Sequence, residues 1–107
     1  MTEKNLEIGL LNDYYGGLLT EYQSRIVSMY YDEDLSLAEI ADEVKVSRQA
    51  VRDVLVRSAH KLNEYEDKLG LVSTLSKIVE EIERIKLNAD SETTQALEKL
   101  LKEVKEI

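Results

Sequence analysis

Leu35-Ser36-Leu37-Ala38-Glu39-Ile40-Ala41-Asp42-Glu43-Val44-Lys45-Val46-Ser47-Arg48-Gln49-Ala50-Val51-Arg52 is the stretch that decides the fold. Ser36 with Glu39 three residues on forms a capping box, so a helix begins at Leu37. Leu37, Ile40, Ala41 and Val44 make its apolar face. Lys45 then occupies a turn, Val46 is apolar, and Ser47 caps the next helix. A helix of about eight residues, a turn of about three and a second helix make a helix-turn-helix. Lys45 departs from the usual pattern, because glycine takes a left-handed turn position most easily. A lysine there costs roughly 1 kcal/mol.

The second helix of the motif starts at Arg48 and meets no strong stop before Gly70. Val51, Leu55, Ala59 and Leu62 fall on one face, and Arg52 flanks it. Gln49, Asp53 and Val56 point away, on the turns where a recognition helix meets base edges.

Upstream, Leu6, Leu10 and Tyr14, with Leu11 beside them, suggest one stripe of a helix from about Glu3 to Tyr15. Gly16-Gly17 is expected to end that helix, since two adjacent glycines are poor helix formers and accept left-handed dihedrals. Thr20 and Gln23 form a second capping box, and Ile26, Met29 and Tyr30 continue at helical spacing. Asp32-Glu33-Asp34 reads as a solvated turn, since a calcium loop needs more oxygen ligands at defined spacing. Downstream of Gly70, Val72, Leu75, Ile78, Val79, Ile82 and Ile85 form a broad stripe. After a turn at Asn88-Ala89-Asp90, Leu97, Leu100, Leu101, Val104 and Ile107 form another, with Asp90 or Ser91 as cap. Two amphipathic helices across a short turn make a helical hairpin. The chain divides, on this reading, into a helix-turn-helix domain over 1–65 and a helical tail over 66–107 that packs or dimerises.

Composition agrees with an all-α protein. The 107 residues contain no Pro, Cys, Phe or Trp, and six Tyr are the only aromatics. Without Cys there are no disulfides, thiolate metal sites or Cys nucleophiles. His60 is the one histidine and is expected to have no special role. There is no Gly-rich phosphate loop and no base placed for a Ser nucleophile, so no enzyme, metal or cofactor is expected. No apolar run is long enough for a membrane span or a signal peptide, so the expected location is the cytoplasm.

The net charge of −8 opposes nonspecific nucleic-acid binding by the whole molecule. Its distribution is uneven. Arg48, Arg52, Arg57 and Lys61 against Asp53 make residues 47–61 the one basic segment. The sequences on both sides are acidic. An alternative for Arg57 is an i, i+4 pair with Asp53 on a solvated helix. Tyr14-Tyr15 and Tyr30-Tyr31 read as packing and hydroxyl anchors rather than base-stacking platforms, because the basic residues lie elsewhere in sequence.

The L-S-L-x-E-I-A opening at Leu35–Ala41, the Val46-Ser47-Arg48 turn and Val51-Arg52 resemble region 4 of bacterial sigma factors, as does Leu19-Thr20-Glu21-Tyr22-Gln23 before them. A resemblance over nearly the whole chain is to the YlxM family of small bacterial helix-turn-helix proteins. It is carried by Asp13–Thr20, Tyr30–Leu37, Ser47–Val51 and Tyr65–Leu69. Genes of that family lie beside those of the signal recognition particle GTPase and its receptor. The resemblance implies a sigma region 4-like core, of winged-helix type without a wing, followed by a long helix and a hairpin. It also implies a link to co-translational protein targeting and supplies no catalytic residues.

The sequence-level expectation is therefore a DNA-binding regulator in the signal recognition particle pathway, acting as a homodimer without membrane insertion. Gln49, Arg52 and Asp53 would face base edges of duplex DNA. Ser47 and Arg48 would lie on phosphates, and Arg57 would contact phosphate or base. The alternative is a nonenzymatic adaptor that binds RNA or protein of the signal recognition particle and does not read DNA.

Overall fold

A computed structural model describes residues 6–107, except for the side chain of Leu6; the part of the first expected helix before Leu6 lies outside the described residues. Six α-helices run in the order α1 (Leu6–Tyr15), α2 (Glu21–Tyr31), α3 (Leu37–Val44), α4 (Arg48–Leu69), α5 (Leu71–Lys86) and α6 (Ser91–Lys105), with a short 3-10 turn at Gly16–Leu18. No strand occurs among the described residues. The fold is all-α and contains the helix-turn-helix. It divides into two compact units, one ending at Leu69 and the other Gly70–Ile107.

The caps come directly from the sequence. Gln23 N–H donates to Thr20 Oγ1 at 3.1 Å and Thr20 N–H to Gln23 Oε1 at 3.1 Å. Ser36 and Glu39 reciprocate in the same way at 3.1 and 3.0 Å. Each box satisfies two amides that the first helical turn leaves without partners. Asp90 caps α6 by accepting from Thr93 N–H at 2.7 Å. That bond holds the Asp90 carboxyl below its ordinary range. Gly70 breaks the long helix: it takes a left-handed conformation (φ 61°) between α4 and α5.

The core of the first unit joins Ile8, Leu11 and Tyr15 of α1 to Ile26, Val27 and Met29 of α2, Ile40 and Ala41 of α3, and Val51, Leu55 and Leu62 of α4. The face of α1 differs from the sequence expectation. Ile8, Leu11, Asn12 and Tyr15 are buried, whereas Leu10 is exposed and Tyr14 only half-buried. The helix is apolar on several sides, so periodicity alone does not choose between them. Gly9 settles the inward side, because a Cβ there would come within 3.3 Å of Tyr31 Cβ and Asp32 Oδ1. Gly16-Gly17 does end the first helix, at Tyr15, but not through left-handed dihedrals. Gly70 is the only positive-φ glycine among the described residues, so the pair does not adopt left-handed dihedrals. The chain passes from α1 into the 3-10 turn, and Leu19 N–H returns to Gly16 O at 3.1 Å.

Two tyrosines tie α1 and the 3-10 turn to the far end of α4. The buried Tyr15 hydroxyl donates to Glu66, and the Tyr65 hydroxyl donates to Leu18 O at 3.3 Å. Their rings lie 6.1 Å apart. Ser58, on the core face of α4, is fully buried, and its hydroxyl has no partner among the described residues. A buried hydroxyl left unbonded costs about 1–3 kcal/mol. Ser58→Ala introduces a strong helix former and removes the orphan, so it is expected to raise the thermal midpoint.

Candidate nucleic-acid interface

The turn that presents α4 is built by Lys45 and Ser47. Lys45 adopts a left-handed conformation (φ 60°, ψ 48°) at the end of α3. Val46 N–H reaches back to Ala41 O at 3.1 Å, the closing bond of a Schellman turn. The chain thus accepts the strain that the sequence foretells at Lys45. Lys45→Gly relieves it and is expected to stabilise the protein by roughly 1 kcal/mol in a chemical denaturation series. Ser47 Oγ accepts from Ala50 N–H at 3.0 Å, which makes it the N-cap of α4. Ser47→Ala leaves that amide without a partner and is expected to cost about 1 kcal/mol, read as a lower thermal midpoint. An unchanged midpoint would show that solvent replaces the hydroxyl at no cost.

From this cap α4 continues for 22 residues. Val51, Leu55 and Leu62 anchor its inner face. Ser47, Arg48, Gln49, Arg52, Asp53 and Arg57 are all exposed on its first three turns, so the structure brings the six candidate residues into one region. Arg48, Arg52 and Arg57 make no ion pair among the described residues. The alternative Arg57–Asp53 pair is not among the ion pairs of the described residues. Gln49 Nε2 donates to Asp53 Oδ1 at 2.9 Å instead, along the same i, i+4 ridge. Asp53 therefore fixes the Gln49 amide, and the arginines remain available.

The face extends further than spacing alone suggests. Arg52, Leu55, Val56 and Ala59 line a shallow cleft of about 230 Å³ together with Tyr30, Tyr31 and Leu37. Tyr30 and Tyr31 meet edge-to-face with ring centroids 5.0 Å apart. The tyrosines and a basic residue, separate in sequence, thus share one cleft: packing of α2 and α3 on α4 brings Tyr30, Tyr31 and Arg52 to its lining. The sequence carries no local signal for that, since 21 positions separate Tyr31 from Arg52. A second open cleft, of about 510 Å³, is lined by Gln23, Val56, Arg57, His60 and Lys61. Exposed Val56 is common to the two, so cations flank an apolar centre along three turns of α4.

The opposite character prevails between α1 and α2. An open groove of about 650 Å³ there is lined by Asp13, Glu21, Asp32 and Glu33, with Arg25 the single cation. Burial, and then the neighbouring Asp32 charge, raise the Asp13 carboxyl above its ordinary value. No group of three or more potential metal ligands occurs among the described residues. The groove is thus acidic where the first turns of α4 are basic. No helix among the described residues is long and apolar enough to cross a membrane.

Comparison with known proteins agrees with this architecture. A family model described as "Putative helix-turn-helix protein, YlxM / p13 like" matches residues 2–104. A UPF0122 protein of Desulforamulus reducens is 50% identical over 97 residues, covering 87% of this chain and 83% of the relative. One from Clostridium perfringens is 44% identical over 104 residues, covering 94% and 92%. One from Halalkalibacterium halodurans is 44% identical over 94 residues, covering 88% and 86%. With the family model spanning nearly the whole chain and relatives at this level of identity, the protein belongs to the UPF0122 family of YlxM/p13-like helix-turn-helix proteins.

Proposed function

We propose that this protein is a nonenzymatic, cytoplasmic DNA-binding regulator that inserts the N-terminal turns of α4 into the major groove. The observation that carries the reading is the exposed basic face on the first turns of α4, whose arginines make no ion pair among the described residues, in an otherwise acidic chain. Ser47 and Arg48, at the positive end of the helix dipole, lie on phosphates. Gln49, Arg52 and Asp53 face base edges. With one Gln49 amide hydrogen held by Asp53, the pair offers carbonyl and carboxylate acceptors to the groove. Those acceptors suit the exocyclic amine of adenine or cytosine. Arg57 lies one turn further on, at phosphate or base. A homodimer presents two such helices to two half-sites. The YlxM resemblance supports a role in the signal recognition particle pathway.

A second reading is favoured by the net charge of −8 and the acidic groove between α1 and α2. On that reading the protein is an adaptor for RNA or protein of the signal recognition particle. Capture of partners from native lysate, with and without DNase or RNase, separates the two. Loss of capture on DNase treatment supports DNA reading; protein capture that resists both nucleases supports the adaptor. A random-sequence duplex titrated at several salt concentrations gives the direct test. Regulator binding falls steeply with salt, at a log–log slope near −0.9 per phosphate contact.

A further inference from the structure

The outward row of α4 continues past the turns assigned to base edges. Gln49, Asp53, Val56 and His60 follow one another at steps of four, three and four, and all four are exposed. Such steps keep the residues within about 60° of one another around the helix. His60 therefore prolongs the row that begins at Gln49. Arg57 and Lys61, both exposed, flank it at i, i+4 spacing. Val56, Arg57, His60 and Lys61 line the open cleft of about 510 Å³ together with Gln23 of α2.

Every polar side chain of that lining offers N–H groups. The Gln23 oxygen already accepts from Thr20 N–H at 3.1 Å in the capping box, so the NH2 is the half of its amide left to bond. Arg57 brings a guanidinium, Lys61 an ammonium and His60 an imidazole. Among the described residues none of these three is in an ion pair or a side-chain hydrogen bond. No carboxylate lines the cleft. Asp53 and Glu64 lie one turn to either side on α4, and each is held along the helix. Asp53 takes the Gln49 amide at 2.9 Å, and Glu64 takes Lys68 at 3.4 Å. Cations and donors converging without a carboxylate suit an anion with several acceptor oxygens.

We propose that this cleft is a phosphate site, and that a phosphate of the DNA backbone fills it when the first turns of α4 occupy the major groove. The inference rests on groove insertion and adds Gln23, His60 and Lys61 to it as a backbone clamp. Helix length supports the assignment. At 1.5 Å per residue, His60 and Lys61 lie about 17 and 18 Å along the axis from Gln49, beyond the roughly 12 Å width and 8.5 Å depth of the groove. With Gln49, Arg52 and Asp53 at base edges, the turn from Arg57 to Lys61 stands at the rim, where phosphates are the acceptors within reach. Arg57 belongs, on this geometry, to phosphate rather than to base.

The test combines His60→Ala with Lys61→Ala in the full chain. Both side chains are exposed, so helical circular dichroism should be retained. Duplex affinity should fall at least fivefold, by the same factor on preferred and random sequences, since a phosphate carries no sequence information. The log–log salt slope should flatten by roughly 0.9. Lys61→Arg, which keeps the charge, should restore the slope. A second measurement needs no DNA. Inorganic phosphate titrated into the isotope-labelled wild type should move the NMR signals of the Gln23 NH2, and chloride at equal ionic strength should not. Lys61→Ala should abolish that shift. Duplex binding by the double variant at unchanged affinity and slope overturns the cleft and leaves groove insertion standing. A loss confined to preferred sequences also overturns it, because the residues would then be reading bases. If the wild type binds no duplex yet phosphate moves Gln23, groove insertion and the backbone source fall, and the phosphate site stands. No duplex binding and no phosphate shift overturn both.

Discussion

Gly16→Ala is expected to destabilise the protein by about 2 kcal/mol, whereas Gly17→Ala, one residue on, is expected to be neutral or stabilising. A Cβ at Gly16 would lie 2.8 Å from Asn12 Oδ1 and 2.9 Å from Ser24 Oγ. Those two atoms are bonded to each other, with Ser24 Oγ donating to Asn12 Oδ1 at 3.2 Å. Asn12 also donates to Ser24 O at 3.3 Å and is buried. The new methyl group forces the asparagine aside and leaves a buried amide short of partners, at about 1–3 kcal/mol. The better local propensity of alanine offsets part of this, up to about 1 kcal/mol. Gly17 has open space around its Cβ position and an ordinary φ, so only the favourable effect remains there. Urea titration of both variants decides the matter. If Asn12 is the cause, Asn12→Ala should abolish most of the Gly16→Ala cost, the coupling expected of residues in contact.

That pair of glycines also marks the limit of what the sequence reveals. The capping boxes at Thr20 and Ser36, the cap at Ser47 and the strained turn at Lys45 were legible because each depends on neighbours within four residues. The role of Gly16 depends on Ser24 across a helix packing, and no local pattern announces that contact. The face of α1 was misread for a related reason. Leu10 and Tyr14 lie at helical spacing as convincingly as Ile8, Leu11 and Tyr15, and only the close approach of Gly9 to α2 selects between them. At the candidate interface, the exposure of Arg48, Gln49 and Arg52 follows from the phase of Val51 and Leu55. The neighbourhood of Arg52 and the Tyr30–Tyr31 pair does not, because it requires the three-helix packing of the first unit. The Gln49–Asp53 bond has an i, i+4 signal, but the same ridge also offered Asp53 to Arg57, and geometry chose the amide.

The largest functional effect is expected from Arg48→Ala combined with Arg52→Ala. The two arginines have different assigned tasks, so the single variants should fail differently. Arg48 on a phosphate contributes affinity without sequence information. Its removal should weaken binding to all duplexes alike and flatten the log–log salt dependence by roughly 0.9. Arg52 at a base edge should cost about 1–3 kcal/mol on preferred sequences and relax the preference at that position. The double variant should lose roughly tenfold to a thousandfold in affinity for a selected duplex at moderate salt, with the core unchanged because neither side chain is buried. The acidic groove between α1 and α2 makes the outcome sharper. In a chain of charge −8 little nonspecific attraction exists elsewhere to mask the loss. Fluorescence anisotropy on duplexes selected from a random pool, repeated across a salt series, measures both quantities. Undiminished duplex binding by the double variant would remove groove insertion by α4 from the mechanism. If the same variant captures its lysate partners as well as the wild type does, even after nuclease treatment, the acidic surface rather than α4 is where the protein meets its target.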